Sequence, residues 1–307
     1  MAQAPGSEKI LAYGVIQNSI MTVGVDYWAG NTASTLTSRD LPPLKEAGIQ
    51  MVRIDFAPNY ENGWSETVPL FTANGIEVLG LLMRRDLIDN IDAWGDWVYN
   101  IVLSYKDYVN VWEIWNEPNL NSFFPGKDPA KYTNFLKTGY TRAKQADPTC
   151  IILGGSVVFT KQDSLDFLTA MYQNGAKDYM DALSWHPYCK PYPPDNTQWV
   201  NAYPKLETHV RPIMANYGDG DKKIWITEFG YQTYPNGGED VGEENQADYL
   251  VRALEMAQDW GWVEAFIIYN WKDSSTTGKY TKGLVRTDRS TKPSFFAVKD
   301  FIASMPP

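Results

Sequence analysis

The chain is organised around the stretch Val111-Trp112-Glu113-Ile114-Trp115-Asn116-Glu117-Pro118-Asn119, where an apolar run ends abruptly in an amide, a carboxylate and a proline. Valine, isoleucine and tryptophan are typical of buried strands, and proline cannot continue the interior of a sheet. The pattern therefore places Glu117 at the carboxyl end of a buried strand. A second stretch, Ile224-Trp225-Ile226-Thr227-Glu228-Phe229-Gly230, ends in the same way on Glu228. We expect the fold to bring these two carboxylates together.

Eight apolar, strand-like runs alternate with helical patterns on either side of these stretches. Strands are predicted at residues 22–28, 51–56, 76–83, 111–115, 151–155, 182–186, 223–227 and 265–270. Helices are predicted at about residues 37–47, 65–74, 92–105, 129–146, 163–173, 197–216, 243–260 and 294–303. Short, continuous apolar strands are typical of buried parallel sheets. Eight strand–helix units in 307 residues predict a protein of the α/β class, a single-domain (β/α)8 TIM barrel.

The alternative fold is an open, doubly wound sheet. Such a sheet usually has a glycine-rich nucleotide loop after its first strand, and this sequence has none there. We expect residues 1–9 to be a flexible N-terminal tail and residues 10–307 to form the catalytic barrel. The apolar run 10–16 predicts a short N-terminal strand, or part of a hairpin, that covers one end of the barrel.

The composition excludes several classes of partner. The net charge is −10, which argues against nucleic acid and anionic membrane surfaces because both require basic patches. The apolar runs are too short to span a bilayer, so we expect no membrane insertion. Twelve Trp and 19 Tyr leave two interpretations open, either a large aromatic core or a cleft whose rings stack on sugars.

Histidines and cysteines are too few for most metal sites. His186 and His209 do not form a His/Cys cluster, and the segment 219–221 is better explained as a turn than as a calcium loop. We therefore expect no metal and no cofactor. Cys150 and Cys189 are predicted at opposite ends of neighbouring strands, and a strand of five residues spans about 17 Å, so we expect both thiols to be free.

The start of the chain, residues 1–9, has no apolar signal core. It is either a short flexible tail or the mature N-terminus of a secreted or periplasmic protein to which a start methionine was added for expression. A cytoplasmic location is the alternative. We expect a monomer.

Polar and aromatic residues stand at the carboxyl ends of the predicted strands, where barrel enzymes place their active sites. They are Asp26, Tyr27, Trp28, Arg53, Asp55, Asn116, Glu117, His186, Tyr188, Glu228, Asn270 and Trp271. Two carboxylates that face one cleft suit glycoside hydrolysis, which uses one as the acid and the other as the attacking carboxylate.

The residues around the two glutamates suggest supporting roles. We expect Arg53 to hold Glu228 ionised and Tyr188 to donate a hydrogen bond to it. Asn116 would bond a sugar hydroxyl, and Trp271 would form the floor of a sugar subsite. Outer sugar platforms are expected from Trp64, Phe123, Phe124, Tyr192 and Tyr231.

Three motifs together resemble clan A of the glycoside hydrolases: Trp115-Asn116-Glu117-Pro118, His186-Pro187-Tyr188 and Thr227-Glu228-Phe229-Gly230. The resemblance implies a retaining (β/α)8 enzyme with Glu117 as the acid/base and Glu228 as the nucleophile. It extends over all eight predicted strands. The candidate substrate-binding residues are Asp26, Tyr27, Arg53, Asn116, His186, Tyr188 and Trp271.

Within the clan, the segment 113–120 most resembles family 39 and similar endo-glycosidases, and the segment 40–53 resembles family 5. The β-xylosidases of family 39 carry an added β-sandwich for which 307 residues leave no room. Family 5 enzymes commonly have His after strand three, where this chain has Met83-Arg84-Arg85. A bare barrel with aromatics at its mouth favours an endo-acting enzyme on an oligo- or polysaccharide. Xylan, mannan, β-glucan and a bacterial exopolysaccharide all remain open as substrates.

Three other functions are alternatives. The first is an exo-acting β-glycosidase or β-xylosidase. The second is a carbohydrate-binding barrel without hydrolysis, against which the intact pair of glutamates argues. The third is a metal-dependent hydrolase, for which the chain lacks ligands.

Overall fold

Eight parallel strands close into a barrel in the order in which they occur along the chain. The computed structural model describes residues 20–28, 32–58, 61–197, 203–234, 238–277 and 280–306. Every neighbouring pair of strands is parallel, and the first strand pairs with the eighth. The predicted (β/α)8 barrel is therefore confirmed. The predicted tail at residues 1–9 and the predicted strand at residues 10–16 lie outside the described residues.

The strands are β1 Thr22–Asp26, β2 Met51–Asp55, β3 Glu77–Leu82, β4 Val111–Ile114, β5 Ile151–Val158, β6 Ala182–His186, β7 Ile224–Phe229 and β8 Val263–Ile268. The α-helices are α1 Ala33–Thr35, α2 Leu41–Glu46, α3 Glu61–Ala73, α4 Ile91–Tyr105, α5 Pro129–Ala146, α6 Gln162–Gln173, α7 Arg211–Asn216, α8 Gly242–Trp260 and α9 Pro293–Ser304. Two π-helical segments, Leu36–Asp40 and Leu206–Val210, precede α2 and α7.

The helix boundaries follow local capping chemistry. Asp128 accepts hydrogen bonds from the backbone N–H groups of residues 130 and 131, and Pro129 occupies the first position of α5. Asn90 caps α4 in the same way. Gly261 ends α8 with φ 67°, a left-handed conformation that glycine adopts without a Cβ clash.

Several boundaries differ from the prediction. Helix α3 begins at Glu61 rather than at residue 65, and of the predicted helix 197–216 residues 206–216 are helical. The first helix begins near residue 33 rather than 37, because the Thr32 side chain accepts a hydrogen bond from the Thr35 N–H. Strand β5 continues to Val158 instead of ending at Gly155. Its register with β6 shifts between residues 155 and 157, and Ser156 adopts φ 48°. This irregularity carries the strand onward toward the mouth of the barrel.

The barrel has an apolar interior near the amino ends of its strands and a polar interior near their carboxyl ends. The apolar cluster comprises Met51, Leu79, Val111, Leu153, Ala182, Trp225, Ala265 and Ile267. A larger apolar layer fills the space between the barrel and its helices and contains Trp112 and Trp115. Both indoles are fully buried and belong to the core. Gly80 makes room for one of them, since a Cβ there would lie 2.4 Å from the Trp112 ring.

Both cysteines are buried and unpaired, which confirms the prediction of two free thiols. Among the residues that the structure describes, no helix combines the length and the apolar character required to cross a membrane.

Candidate active site

A cleft of about 760 Å³ opens at the carboxyl ends of the strands. It is lined by residues that follow all eight strands, including Asp26, Tyr27, Trp28, Arg53, Asp55, Asn116, Glu117, Tyr188, Glu228, Tyr269 and Lys282. A cavity of similar size, about 770 Å³, lies at the amino ends of the strands, but the two conspicuous glutamates do not face it. The candidate active site is therefore the cleft at the carboxyl ends, as the barrel geometry predicts.

The two glutamates meet in this cleft although they are distant in the sequence. One carboxylate oxygen of Glu117, one of Glu228 and a ring nitrogen of His186 all lie within 4.8 Å of one another. Glu228 belongs to β7, whereas Glu117 follows β4 in a tight turn. In that turn Trp115 has φ 69° and Glu117 has φ 43°. Positive φ is costly for residues with a Cβ and is concentrated at functional sites.

Arg53 connects the acidic groups around the cleft floor. Its Nη1 donates to Asp26 Oδ2 and to Glu228 Oε1, each at 2.8 Å. Its Nε donates to Glu113 Oε2 at 2.6 Å, and its Nη2 donates to Asn116 Oδ1 at 2.8 Å. The predicted contact between Arg53 and Glu228 is confirmed. One rigid guanidinium thereby aligns side chains from β1, β4 and β7.

Glu113 is a central residue that sequence reasoning missed. Its carboxylate is fully buried inside the barrel and accepts hydrogen bonds from Ser156 Oγ at 2.6 Å, from Thr227 Oγ1 at 2.7 Å and from Ser184 Oγ. Burial opposes its ionisation, but the charge of Arg53 and these hydroxyl donors lower the pKa of Glu113. The available signal was a glutamate inside an otherwise apolar strand, four positions before Glu117.

His186 lies beneath the two glutamates rather than on the cleft surface. Its side chain is fully buried, with Nδ1 3.1 Å from Glu117 Oε1 and Nε2 3.0 Å from Thr227 Oγ1. Burial alone would lower the pKa of His186, but the charge of Glu228 and the hydrogen bond to Glu117 raise it. The expectation of a direct substrate contact is therefore corrected, because the imidazole supports Glu117 from below.

Tyr188 and Asp26 occupy their predicted places at the cleft. The Tyr188 hydroxyl donates to Glu228 Oε2 at 2.9 Å, which confirms that expected contact. Burial raises the pKa of Asp26 to about 7, although the charge of Arg53 acts in the opposite direction. The carboxyl group of Asp26 is 21% exposed, so it can still reach a ligand.

Tyr27 lines the cleft but is almost fully buried, and its hydroxyl donates to Asp40 Oδ2 at 3.0 Å. Asn116 also lines the cleft, where its side-chain oxygen is already occupied by Arg53.

Trp271 does not form the floor of the cleft. It is 2% exposed, its ring lies against Phe295, and its Nε1 donates to Asp40 Oδ1 at 3.3 Å. The backbone N–H of Trp271 donates to the carbonyl of Asp26, so the chain still runs beside the end of β1 at this point. The predicted subsite role of Trp271 is wrong, and the aromatic rings that line the cleft beyond β8 are those of Tyr269 and Tyr280.

Of the five predicted outer platforms, only Phe123 lines the cleft. Trp64, Phe124 and Tyr231 are buried in the core, and Tyr192 is half-buried outside the cleft lining. The aromatic residues at the cleft that the sequence did not single out as platforms are Trp28, Phe159, Tyr269 and Tyr280. Loop conformation decides which rings face the cleft, and apolar periodicity does not encode it.

Glu117, His186 and Glu228 are the described residues whose donor atoms are close enough to hold a metal ion. Their atoms already have other partners, since Arg53 and Tyr188 bond both oxygens of Glu228. The set is thus arranged for hydrogen bonding and proton transfer, and the expected lack of a metal stays a prediction.

The family model for the glycosyl hydrolase catalytic core matches residues 91–294, more than half of the chain. This chain belongs to that family of glycosyl hydrolases. The match includes Glu117 and Glu228, the two carboxylates that meet in the cleft. A search of the curated proteins finds no significant match.

Solved structures with the same fold include glycosyl hydrolases of family 39. A family 39 glycoside hydrolase from the gut symbiont Bacteroides cellulosilyticus WH2 superimposes with a TM-score of 0.74 at 21% identity, over 95% of this chain and 65% of that one. The family 39 enzyme from Xanthomonas axonopodis pv. citri superimposes with a TM-score of 0.70 at 18% identity, over 95% of this chain and 68% of that one. A monomeric β-xylosidase from Caulobacter crescentus CB15 superimposes with a TM-score of 0.68 at 18% identity, over 95% of this chain and 69% of that one. This glycosyl hydrolase thus spans about two thirds of the length of these structures.

Proposed function

We propose that this glycosyl hydrolase cleaves β-glycosidic bonds of an oligo- or polysaccharide with retention of configuration, by double displacement. The observation that carries the proposal is the approach of Glu117 and Glu228 to within 4.8 Å. Retaining enzymes hold their two carboxyl groups about 5–5.5 Å apart, whereas inverting enzymes leave about 6.5–9.5 Å for a water molecule. Family 39 neighbours are consistent with this proposal.

Glu228 is the proposed nucleophile because hydrogen-bond donors hold both of its carboxylate oxygens. Arg53 bonds one carboxylate oxygen and Tyr188 bonds the other, so the side chain is fixed with its charge neutralised. In the first step a Glu228 oxygen attacks the anomeric carbon. The bond between that carbon and the glycosidic oxygen breaks, and a glycosyl ester with Glu228 forms.

Glu117 is the proposed acid/base. In the first step its proton passes to the departing glycosidic oxygen. In the second step it takes a proton from water, whose oxygen attacks the anomeric carbon and releases Glu228. His186 is placed to support Glu117 throughout this cycle, because its Nδ1 lies 3.1 Å from Glu117 Oε1.

The rim of the cleft favours endo action. Trp28 and Tyr280 line the cleft and are 62% and 51% exposed, so their rings offer flat surfaces for sugars beyond the cleaved bond. The alternative is an exo-acting β-glycosidase, which would release single sugars instead. The β-xylosidase among the structural neighbours brings this alternative into consideration. Product lengths distinguish the two modes.

The test is hydrolysis of a polysaccharide panel by the wild type and by Glu117→Gln and Glu228→Gln, all in excess chelator. Exposed Glu207→Gln is the control. We expect the wild type to remain active in chelator. Glu117→Gln, which lacks the acid/base, should lose about 10²–10⁴-fold in kcat. Glu228→Gln, which lacks the nucleophile, should show no detectable turnover. Full activity of Glu228→Gln would refute the assignment, and sugar binding without products from the wild type would indicate a binding barrel.

A further inference from the structure

Lys282 is a buried lysine at the cleft that the proposed mechanism does not use. It follows β8, lines the cleft and is 9% exposed. Its Nζ lies 4.8 Å from the ring centroid of Tyr188 and 5.3 Å from that of Tyr269. These two rings hold the ammonium group beside the phenol that bonds Glu228.

No carboxylate of the described residues lies within 4.0 Å of the Lys282 ammonium group, and no hydrogen bond from it is found among them. The neighbouring lysine differs, because Lys190 Nζ lies 2.5 Å from Glu239 Oε2. Lys292, the buried N-cap residue of α9, is also paired, because its Nζ lies 2.9 Å from Asp273 Oδ2. Burial of an ammonium group is unfavourable unless a counter-ion compensates for the lost water. Lys282 therefore has the properties of a group whose partner arrives with the ligand.

Two lysines line one side of the cleft. Asp26 and Asp55 end β1 and β2, whereas Lys190 and Lys282 follow β6 and β8, on the side where Glu239 follows β7 and pairs with Lys190. The two ammonium groups thus face the cleft from the side that carries the Tyr188–Glu228 hydrogen bond. A ligand group that reaches Lys282 belongs to the sugar ring that Glu228 attacks, or to a position next to that ring.

We propose that Lys282 binds the carboxylate of a uronic acid residue at this position, so that the substrate is an acidic glycan. The inference rests on the proposed glycosidase function and specifies its substrate class. A sugar hydroxyl would accept a hydrogen bond but leave the ammonium group without a directly bonded counter-ion. A carboxylate supplies both the counter-ion and a charge-assisted hydrogen bond. Burial, with a contribution from Lys190, lowers the pKa of Lys282 to about 8, although the charges of Glu228, Glu117 and Glu239 act in the opposite direction. A bound carboxylate would favour the charged form further.

Affinity in a non-hydrolysing variant tests this inference separately from catalysis. Glu117→Gln is titrated calorimetrically with two matched pairs of tetrasaccharides, β-(1→4)-glucuronan against cellotetraose and β-(1→4)-mannuronan against mannotetraose. We expect at least one acidic member to bind more tightly than its neutral counterpart, by about 10-fold to 100-fold. Adding Lys282→Met should abolish this preference, and adding Lys282→Arg should retain part of it. Lys299→Met, on the outer face of α9, is the control for a lost surface charge.

The outcomes separate the two proposals. Equal or weaker binding of both acidic members overturns the role of Lys282, as does a preference that survives Lys282→Met in a variant with an unchanged melting temperature. The preference for acidic tetrasaccharides is measured in Glu117→Gln alone. It therefore still tests the inference if Lys282→Met does not fold. A preference in Glu117→Gln without any wild-type hydrolysis of the same oligosaccharides would support the lysine site and refute the glycosidase.

Discussion

At the scale of single residues, the site is held by buried charges that balance one another. Arg53 is 3% exposed and forms ion pairs with Asp26, Glu113 and Glu228. Of these partners only Glu113 is fully buried and remote from the cleft. Its task is to hold the guanidinium in the orientation that serves Glu228, which makes it a positioning residue rather than a catalytic one.

Glu113→Gln is expected to destabilise the protein by about 3–5 kcal/mol, because the substitution leaves the Arg53 charge buried without its most deeply buried partner. Urea unfolding monitored by tryptophan fluorescence measures the effect. Exposed Glu207→Gln is the matched control and should change the free energy of unfolding by less than about 0.5 kcal/mol. Equal stabilities of the two variants would show that Glu113 does not hold Arg53.

Asp55 predicts a pH dependence of stability. Burial raises the pKa of Asp55 to about 6, and Arg53 offsets only part of this effect. Its Oδ1 has no hydrogen-bond partner in the part of the chain that the structure describes. The same carboxyl group in an unfolded chain loses its proton near pH 3.9. The folded protein therefore holds the extra proton between about pH 4 and 6, and the contribution of Asp55 to stability falls as the pH rises through that window.

Asp55→Asn removes this effect and should be more stable than the wild type at pH 7 by about 1–3 kcal/mol. The difference should vanish below about pH 4, where both side chains are neutral. Urea unfolding at pH 4 and pH 7 gives both values, with exposed Asp107→Asn as the control. A constant difference at the two pH values would contradict the assigned pKa.

Single residues also mark the limit of prediction from sequence. Glu117 and Tyr188 follow strands, and Arg53 and Glu228 lie within β2 and β7. All four could be placed because the carboxyl ends of strands converge in a barrel. His186 ends β6 and Trp271 follows β8, but both side chains are buried beneath the cleft surface. Side-chain direction at a strand end depends on the following loop, which strand periodicity does not describe.

At the scale of elements, the ends of β4 and β7 present the two glutamates. Strand–helix alternation predicted all eight strands, and most boundaries agree within about two residues, because apolar runs and capping residues are local signals. The extension of β5 past Gly155 was not predicted. It depends on the pairing shift with β6 and on Ser156, whose hydroxyl reaches Glu113. Such contacts join neighbouring strands that are distant in the sequence, so they are not visible in a local pattern.

Gly230, directly after β7, permits close approach of the following strand end. A Cβ at this position would lie 2.1 Å from the carbonyl oxygen of Tyr269. Gly230→Ala should therefore force β7 and the chain after β8 apart, lower stability by about 1–3 kcal/mol, and reduce kcat by displacing Glu228. Thermal unfolding and hydrolysis assays measure the two effects.

Gly238→Ala is the control for this glycine, because among the described residues no atom beyond its chain neighbours lies within 4 Å of its added Cβ. It should leave both stability and kcat unchanged. If Gly230→Ala had the same stability and kcat as the wild type, the backbone around Glu228 would accommodate the added Cβ without displacing the carboxylate.

At the scale of the whole molecule, closure of the barrel brings the glutamates together. Neither β4 nor β7 pairs with the other, and β5 and β6 lie between them. Their approach to within 4.8 Å therefore depends on all eight strands and on the network around Arg53. The sequence predicted the convergence through the barrel, but only the folded chain supplies the distance on which the proposed retaining mechanism rests.

The most direct test of this account is the configuration of the first product. Proton NMR of a freshly started digest, on the glycan that the panel identifies, records the anomeric signal before mutarotation. The separation of Glu117 and Glu228 predicts that the β-anomer appears first, as a double displacement requires. Initial release of the α-anomer from the same β-linked glycan would contradict the assignment of Glu228 as nucleophile.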